Sequence, residues 1–155
     1  MKLSDKGLTF LTKEEGLRLK PYRDSVGLWT VGVGHLLTET ELKTNVLNYP
    51  QYDLDKKPWR ELDREDVLNL LRYDVERFEK CVNTNLPSDL KQHEFDALVS
   101  FSFNIGTPAF EKSTMLHMLK DGDKDIKNQF MRWIKPPELK GRRQRESDLF
   151  CSAKY

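Results

Sequence analysis

The sequence predicts an α+β fold, mainly helical, with a small β-hairpin lobe and a larger helical lobe joined by a long helix. Three observations predict it. Val67, Leu70, Leu71, Val75, Phe78 and Val82 form one apolar stripe at helical spacing, running from a cap near Asp63 to about Asn83. Such a long rod suits a spine between two lobes. Leu28 to Val33 alternates with period two and follows a turn at Asp24-Ser-Val-Gly27, the signature of a short strand in a hairpin. Helical patterns flank these elements, with no repeat, low-complexity run or linker. The expected division is one domain over 1–155. The small lobe spans about 17–62, and 63–155 together with the helix 4–16 makes the helical lobe.

The elements follow in order. Ser4 is a good N-cap for a helix over 4–16, with Leu3 placed as a hydrophobic staple. Leu8, Leu11 and Glu15 fall at i, i+3 and i+7 on one face of it. The hairpin region, 17–37, follows, with a break expected at Pro21. Trp29, Val31 and Val33 point to one face. Leu28, Thr30, Gly32 and Gly34 point to the other, a face short of side chains where a ligand or another backbone can approach. Residues 39–47 can form a short helix with Leu42, Val46 and Leu47 inward. Asn48 to Trp59, with two prolines, reads as a solvated connection, and stacking of Tyr49, Tyr52 or Trp59 on a sugar is the lesser alternative.

In the long helix, Leu62 precedes the Asp63 cap, and Glu65 and Asp66 put negative charge in the first turn. Pro87 and Ser88 break the chain. From Asp89 a segment apolar on several faces, with Phe95, Ala97, Leu98, Val99, Phe101 and Phe103, should be a buried helix ending at Gly106. Short helices are expected from Ser113 or Thr114 to Lys120 and from Asp123 to Trp133, where Ile126, Phe130 and Trp133 face inward. A last helix covers Leu139 to Phe150, after Pro136 and Pro137.

Composition excludes several classes of function. The 155 residues are 37% hydrophobic and 33% charged, with net charge +1, so no bulk field draws the chain to nucleic acid. Lys140, Arg142, Arg143 and Arg145 could form a nucleic-acid patch, but Glu138, Glu146 and Asp148 balance them, and a solvated mixed face is expected. No stretch reaches the ~20 apolar residues that span a bilayer. The opening MKLSDKGLTFLTKEEG lacks the apolar core of a signal peptide, so synthesis in the cytoplasm is expected. Cys81 and Cys151 fit no metal motif. Free thiols are expected, with a single disulfide as the alternative. His93 and His117 have no metal-site spacing.

Glu15 is the residue that turns this architecture towards chemistry. A carboxylate ending an apolar stripe should be partly desolvated, which raises its pKa and suits a general acid. Asp24, at a polar turn, should stay ionised. Taken singly, each has a plainer reading: a surface carboxylate for Glu15, an Asx-turn for Asp24, strand propensity for Thr30. Their joint spacing, E-x8-D-x5-T, followed by Gly-His-Leu-Leu-Thr at 34–38, closely resembles the phage-type lysozymes, glycoside hydrolases that include many endolysins. Phe103-Asn104-Ile105-Gly106 resembles the family segment that forms the far wall of the sugar cleft. Residues 139–150 resemble its C-terminal L-x-x-R-R-x-x-E-x-x-L-F pattern, although Glu138 stands where many relatives have glycine. The resemblance covers essentially the whole chain.

The resemblance implies a lysozyme-like fold and a muramidase. It would hydrolyse the β-1,4 bond between N-acetylmuramic acid and N-acetylglucosamine in bacterial peptidoglycan, by inversion, without metal or cofactor. Glu15 would be the acid, Asp24 would activate water and Thr30 would hold it. Leu36, Phe103 and Asn104 would touch substrate, Asn104 offering both donor and acceptor. Arg142 would support Glu15, and His35 would pair with Asp74 in a structural role. Peptidoglycan is the expected partner, with a holin for release and a monomeric state. The alternatives are an antibacterial effector toxin held by an immunity protein, and a non-catalytic wall-binding module of a phage tail.

Overall fold

The computed structural model describes residues 1–86 and 88–155. Eight α-helices, one short 3-10 helix (Pro50–Tyr52) and one small sheet are described: α1 (Asp5–Glu15), β1 (Arg18–Arg23), β2 (Trp29–Gly32), β3 (His35–Leu36), α2 (Glu39–Thr44), α3 (Arg64–Asn85), α4 (Gln92–Ile105), α5 (Thr107–Glu111), α6 (Thr114–Lys120), α7 (Lys127–Phe130) and α8 (Leu139–Ser152). The chain divides into two compact units, one of residues 11–76 and one of residues 1–10 with 77–155. The division falls inside α1 and α3, each of which contributes to both units.

The unit of residues 11–76 carries the antiparallel sheet, in the order β1-β2-β3. α1 starts as its sequence predicts: the Ser4 hydroxyl accepts from the Gly7 N–H at 2.9 Å. It stops at Gly16, whose φ of 78° lets its N–H turn back to the Thr12 carbonyl at 2.9 Å. Tyr22 then pairs with Thr30, Arg23 with Trp29, Thr30 with Leu36 and Val31 with His35. The predicted alternation holds for Thr30 and Val31 and ends at Gly32. There φ turns to +62° and the chain reverses through Val33 and Gly34. A methyl on Gly32 would lie 3.1 Å from Val67 Cγ1. Glycine at that point makes room for a packed side chain of α3 and takes a φ that other residues rarely adopt.

α2 differs from its expected form. It spans Glu39–Thr44 and ends at Asn45 in the left-handed region, not at residue 47. Leu42 faces out, 43% exposed, while Glu41 is buried. The reason is a capping box. The Thr38 side chain accepts from the Glu41 N–H, and the Glu41 carboxylate reaches back to the Thr38 N–H at 2.8 Å, which turns Glu41 inward. The connection that follows is tied down, with the Leu47 N–H donating to the Lys57 carbonyl at 2.6 Å and Leu47, Leu54 and Trp59 buried.

α3 follows its sequence closely. Asp63 accepts from the Asp66 N–H at 2.8 Å, and the stripe from Val67 to Val82 is buried throughout. The break expected at Pro87 lies outside the described residues. In the other unit, α4 packs chiefly against α8. Its core is aromatic: the Phe101 ring lies 5.3 Å from Phe130, 5.9 Å from Trp133 and 6.3 Å from Phe110. α4 starts at Gln92, later than the expected Asp89, because Glu94 folds back onto the Lys91 N–H at 2.8 Å. α5 was not expected: Pro108 sits in its first turn, where a missing N–H costs nothing, and so begins a helix instead of only ending one. The element expected over 123–133 shrinks to the four residues of α7. Cys81 is buried, Cys151 is exposed, and both are free thiols.

Candidate active site

The unit of residues 11–76 brings together Glu15, Asp24, Thr30, His35, Leu36 and Asp74. Phe103, Asn104 and Arg142 belong to the other unit. Glu15 is half-buried in the last turn of α1, immediately before the left-handed Gly16.

Asp24 closes the hairpin. One carboxylate oxygen, Oδ1, accepts from the Val26 N–H at 3.0 Å and the Leu28 N–H at 2.8 Å. This Asx-turn orients the side chain. The other oxygen, Oδ2, has no protein hydrogen-bond partner among the described residues. The backbone ladder continues through the Asp24 N–H to the Leu28 carbonyl at 2.9 Å, and Gly27 completes the turn at φ 85°.

Strand register then fixes which side chains share a face. Residues directly opposite in an antiparallel pair point the same way, as do residues two apart in one strand. Tyr22 is opposite Thr30, and Thr30 is opposite Leu36. Asp24, two residues beyond Tyr22, therefore lies on the Thr30 and Leu36 face. Val31 and His35 take the opposite, buried face. Thr30 is only 4% exposed, and its hydroxyl donates to the Leu28 carbonyl at 3.2 Å. With its proton so used, the oxygen is left to accept. Leu36 is 49% exposed beside it.

His35 has the partner expected of it. Its Nδ1 lies 2.9 and 3.0 Å from the two Asp74 oxygens. The structure adds a second carboxylate that sequence reasoning missed. Nε2 lies 3.3 Å from both Glu41 oxygens, and Glu41 also accepts from the Tyr49 hydroxyl at 2.6 Å. Burial alone would lower the His35 pKa. Hydrogen bonds to Asp74 and Glu41 outweigh it and raise the group to about 9. Burial works against the charged form of Glu41 too, but His35, Tyr49 and the Thr38 N–H lower it to about 2. The sequence signal for Glu41 was Thr38-x-x-Glu41, a capping box. The aromatic residues near it serve structure. Tyr49 stacks on Tyr73 with centroids 3.9 Å apart, and the indole N–H of the buried Trp59 donates to the Glu41 carbonyl at 3.0 Å.

In the other unit, the charged face expected to be solvated is buried at Arg143, Glu146 and Arg142, because both arginines pair with Glu146; this encloses Arg142. Its Nε donates to Glu146 Oε1 at 2.9 Å and its Nη2 to the Ser100 carbonyl at 3.2 Å. Asn104 is half-buried in the last turn of α4, and its Oδ1 accepts from Nη2 of Arg143, a residue the sequence did not single out for the site. Phe103 is half-buried, its ring 5.0 Å from Phe78. Among the described residues no group of three His, Cys, Asp or Glu side chains could hold a metal ion. No helix among them is long and apolar enough to cross a membrane.

Comparison with known proteins gives this geometry a lineage. The phage lysozyme family model matches residues 12–146. The endolysin of Acyrthosiphon pisum secondary endosymbiont phage 1 is 36% identical over 99% of this chain and 100% of its own length. The chain belongs to the phage lysozyme family. Among solved structures, a P22 lysozyme variant superposes with a TM-score of 0.80, at 33% identity over 98% of this chain and 99% of the other. The muramidase domain of SpmX from Asticaccaulis excentricus superposes with a TM-score of 0.76, at 28% identity over 97% and 98% of the two chains. As a phage lysozyme, the chain is a lysozyme-type glycosidase that breaks down peptidoglycan, in the lysozyme-like fold its sequence predicts.

Proposed function

We propose that Glu15, Asp24 and Thr30 carry the hydrolysis, at the β-1,4 bond between N-acetylmuramic acid and N-acetylglucosamine, with inversion at the anomeric carbon. The observation that supports this reading most is the shared face of Asp24 and Thr30. One oxygen of Asp24 is anchored by two backbone N–H groups, its other oxygen is open, and the Thr30 oxygen is left to accept.

Two such acceptors suit one water molecule. The water donates one hydrogen to Asp24 Oδ2 and the other to Thr30 Oγ1, which leaves a lone pair free for the anomeric carbon. As the new C–O bond forms, the proton facing Asp24 passes to its carboxylate. Glu15, protonated at the start, gives its proton to the departing O4 of N-acetylglucosamine as the C1–O4 bond breaks. Leu36 gives the glycan an apolar contact beside Thr30. A wall-binding module without catalysis would have no use for an anchored but half-open carboxylate beside a proton-accepting hydroxyl. For the biology, we propose synthesis in the cytoplasm and holin-assisted release, as a monomer. An effector held by an immunity protein would use the same site.

Stereochemistry tests the assignment of Asp24. Proton NMR of the first product from a soluble peptidoglycan oligosaccharide should show the α-anomer of the new N-acetylmuramic acid end before mutarotation. An initial β-anomer would mean retention, and would make Asp24 a nucleophile or remove it from the chemistry.

A further inference from the structure

Arg143 is the most deeply buried cation of the chain's second unit, and its surroundings give it a task. It is 0% exposed in the first turns of α8, its guanidinium 5.1 Å from the centre of the Phe101 ring. Its Nη1 lies 2.8 Å from Glu146 Oε2, without the alignment of a hydrogen bond. Glu146, equally buried, is held at its other oxygen by Arg142 Nε at 2.9 Å and the Ser100 hydroxyl at 2.8 Å. Burial pushes the Glu146 carboxyl up from its ordinary range, with Arg143 and Arg142 pulling against it. A buried ion pair of this kind gains little stability over apolar residues of the same size, and orientation is a better reason to keep one. The guanidinium orients a neighbouring carboxamide: Nη2 donates to Asn104 Oδ1.

We infer that Arg143 is a positioning residue that fixes the Asn104 carboxamide with its NH2 group outward, so that Asn104 serves the glycan as a donor only. Guanidinium carries five donors and no acceptor. An amide facing it must present oxygen, because the flipped amide would set N–H against N–H. The end left over is Nδ2, which has no protein partner among the described residues. Its ligand must therefore be an acceptor on the glycan, and the carbonyl oxygen of a 2-acetamido group is the one that peptidoglycan sugars repeat. This narrows what the sequence alone allowed, an Asn offering both donor and acceptor. The inference rests on the reading that Asn104 touches the glycan.

A double-mutant cycle on the full chain tests it, with KM and kcat measured on a soluble peptidoglycan oligosaccharide and Tm measured alongside. Asn104→Ala should raise KM roughly two- to tenfold with kcat nearly unchanged, the range for one neutral hydrogen bond. Arg143→Lys keeps the charge that Glu146 needs but loses the fork, and should raise KM by a similar factor. In the Asn104→Ala background Arg143→Lys should add nothing to KM. If the two effects multiply instead, Arg143 does not act through Asn104 and the inference fails, while the glycan reading of Asn104 stands. If Asn104→Ala leaves KM unchanged, both fall.

Asn104→Asp keeps the test decisive should Arg143→Lys not fold. It retains an acceptor against Arg143 and removes only the outward donor, so Tm should hold and KM should rise as in Asn104→Ala. An unchanged KM in this variant overturns the inference.

Discussion

Asp24 and Glu41 are both carboxylates of the same compact unit, each positioned by backbone N–H groups, and they end in opposite conditions. Glu41 is 5% exposed and has both oxygens committed, to Thr38, Tyr49 and His35. Asp24 has one oxygen committed to Val26 and Leu28 and the other open. Both are held still, but only Asp24 has an oxygen left to offer a substrate water. Residue type does not separate a working carboxylate from a structural one. The number of acceptor sites left over after the fold has taken its share does.

The comparison makes opposite predictions for the two groups. Asp24→Asn should lower turnover on purified cell walls by roughly 10²–10⁴-fold, the range for losing a positioned base, while Tm moves by no more than a few degrees, since the amide oxygen can still accept from Val26 and Leu28. A turbidity assay beside calorimetry reads both. Full clearing, or a large fall in Tm, would put Asp24 in the same class as Glu41.

His35→Asn should do the reverse. It leaves Glu41 and Asp74 without the cation between them and should cost about 3–5 kcal/mol of stability, the range for breaking a buried pair from one side. Turnover per folded molecule should stay near the parent value at a temperature where the variant is folded. Urea unfolding gives the first number and an active-site-normalised clearing rate the second.

Within the structural cluster of Glu41, pH has a gentler effect. His35 has a folded pKa of about 9 against an ordinary 6.5, so its contribution is complete below 6.5 and is lost as pH rises through 9. Glu41 has a folded pKa of about 2 against an ordinary 4.5, so its contribution is complete above 4.5 and is lost as pH falls through 2. Stability from this cluster should therefore be level between about pH 4.5 and 6.5 and decline on both sides. The change on the alkaline limb is on the order of 3 kcal/mol at most. The two shifts share one ion pair and do not add. Urea midpoints across pH 5–10 should fall in the parent and stay flatter in His35→Asn over the same range; parallel curves would show that His35 is not the titrating group.

Much of this architecture was legible in the sequence, because its long elements carry strong periodicity. The stripe of α3 and the Ser4 cap of α1 needed no tertiary information. The spacing of Glu15, Asp24 and Thr30 could be read as a set because one helix end and one tight hairpin carry all three. What was misread has local physical causes. In α2, hydrophobicity favoured Leu42 as the inward residue, but the His35 side chain and the Thr38 capping box call for a carboxylate at that depth, so Glu41 turned in. At Gly32 the bare face also meets Val67 of α3, a contact 35 residues away that strand alternation does not encode. Pro108 read as a terminator and starts α5. The hold of Arg143 on Asn104, across 39 residues, has no periodic signature at all.

The central claim is that Glu15 supplies the proton to the leaving sugar, and a substrate that needs no proton tests it most directly. Glu15→Gln should abolish clearing of natural peptidoglycan, with a loss of roughly 10²–10⁴-fold or more. The same variant should cleave an oligosaccharide whose terminal N-acetylmuramic acid carries a dinitrophenyl leaving group at a rate within about tenfold of the parent, since that leaving group departs unprotonated. An equal loss on both substrates would contradict the account and leave Glu15 a role in binding or structure.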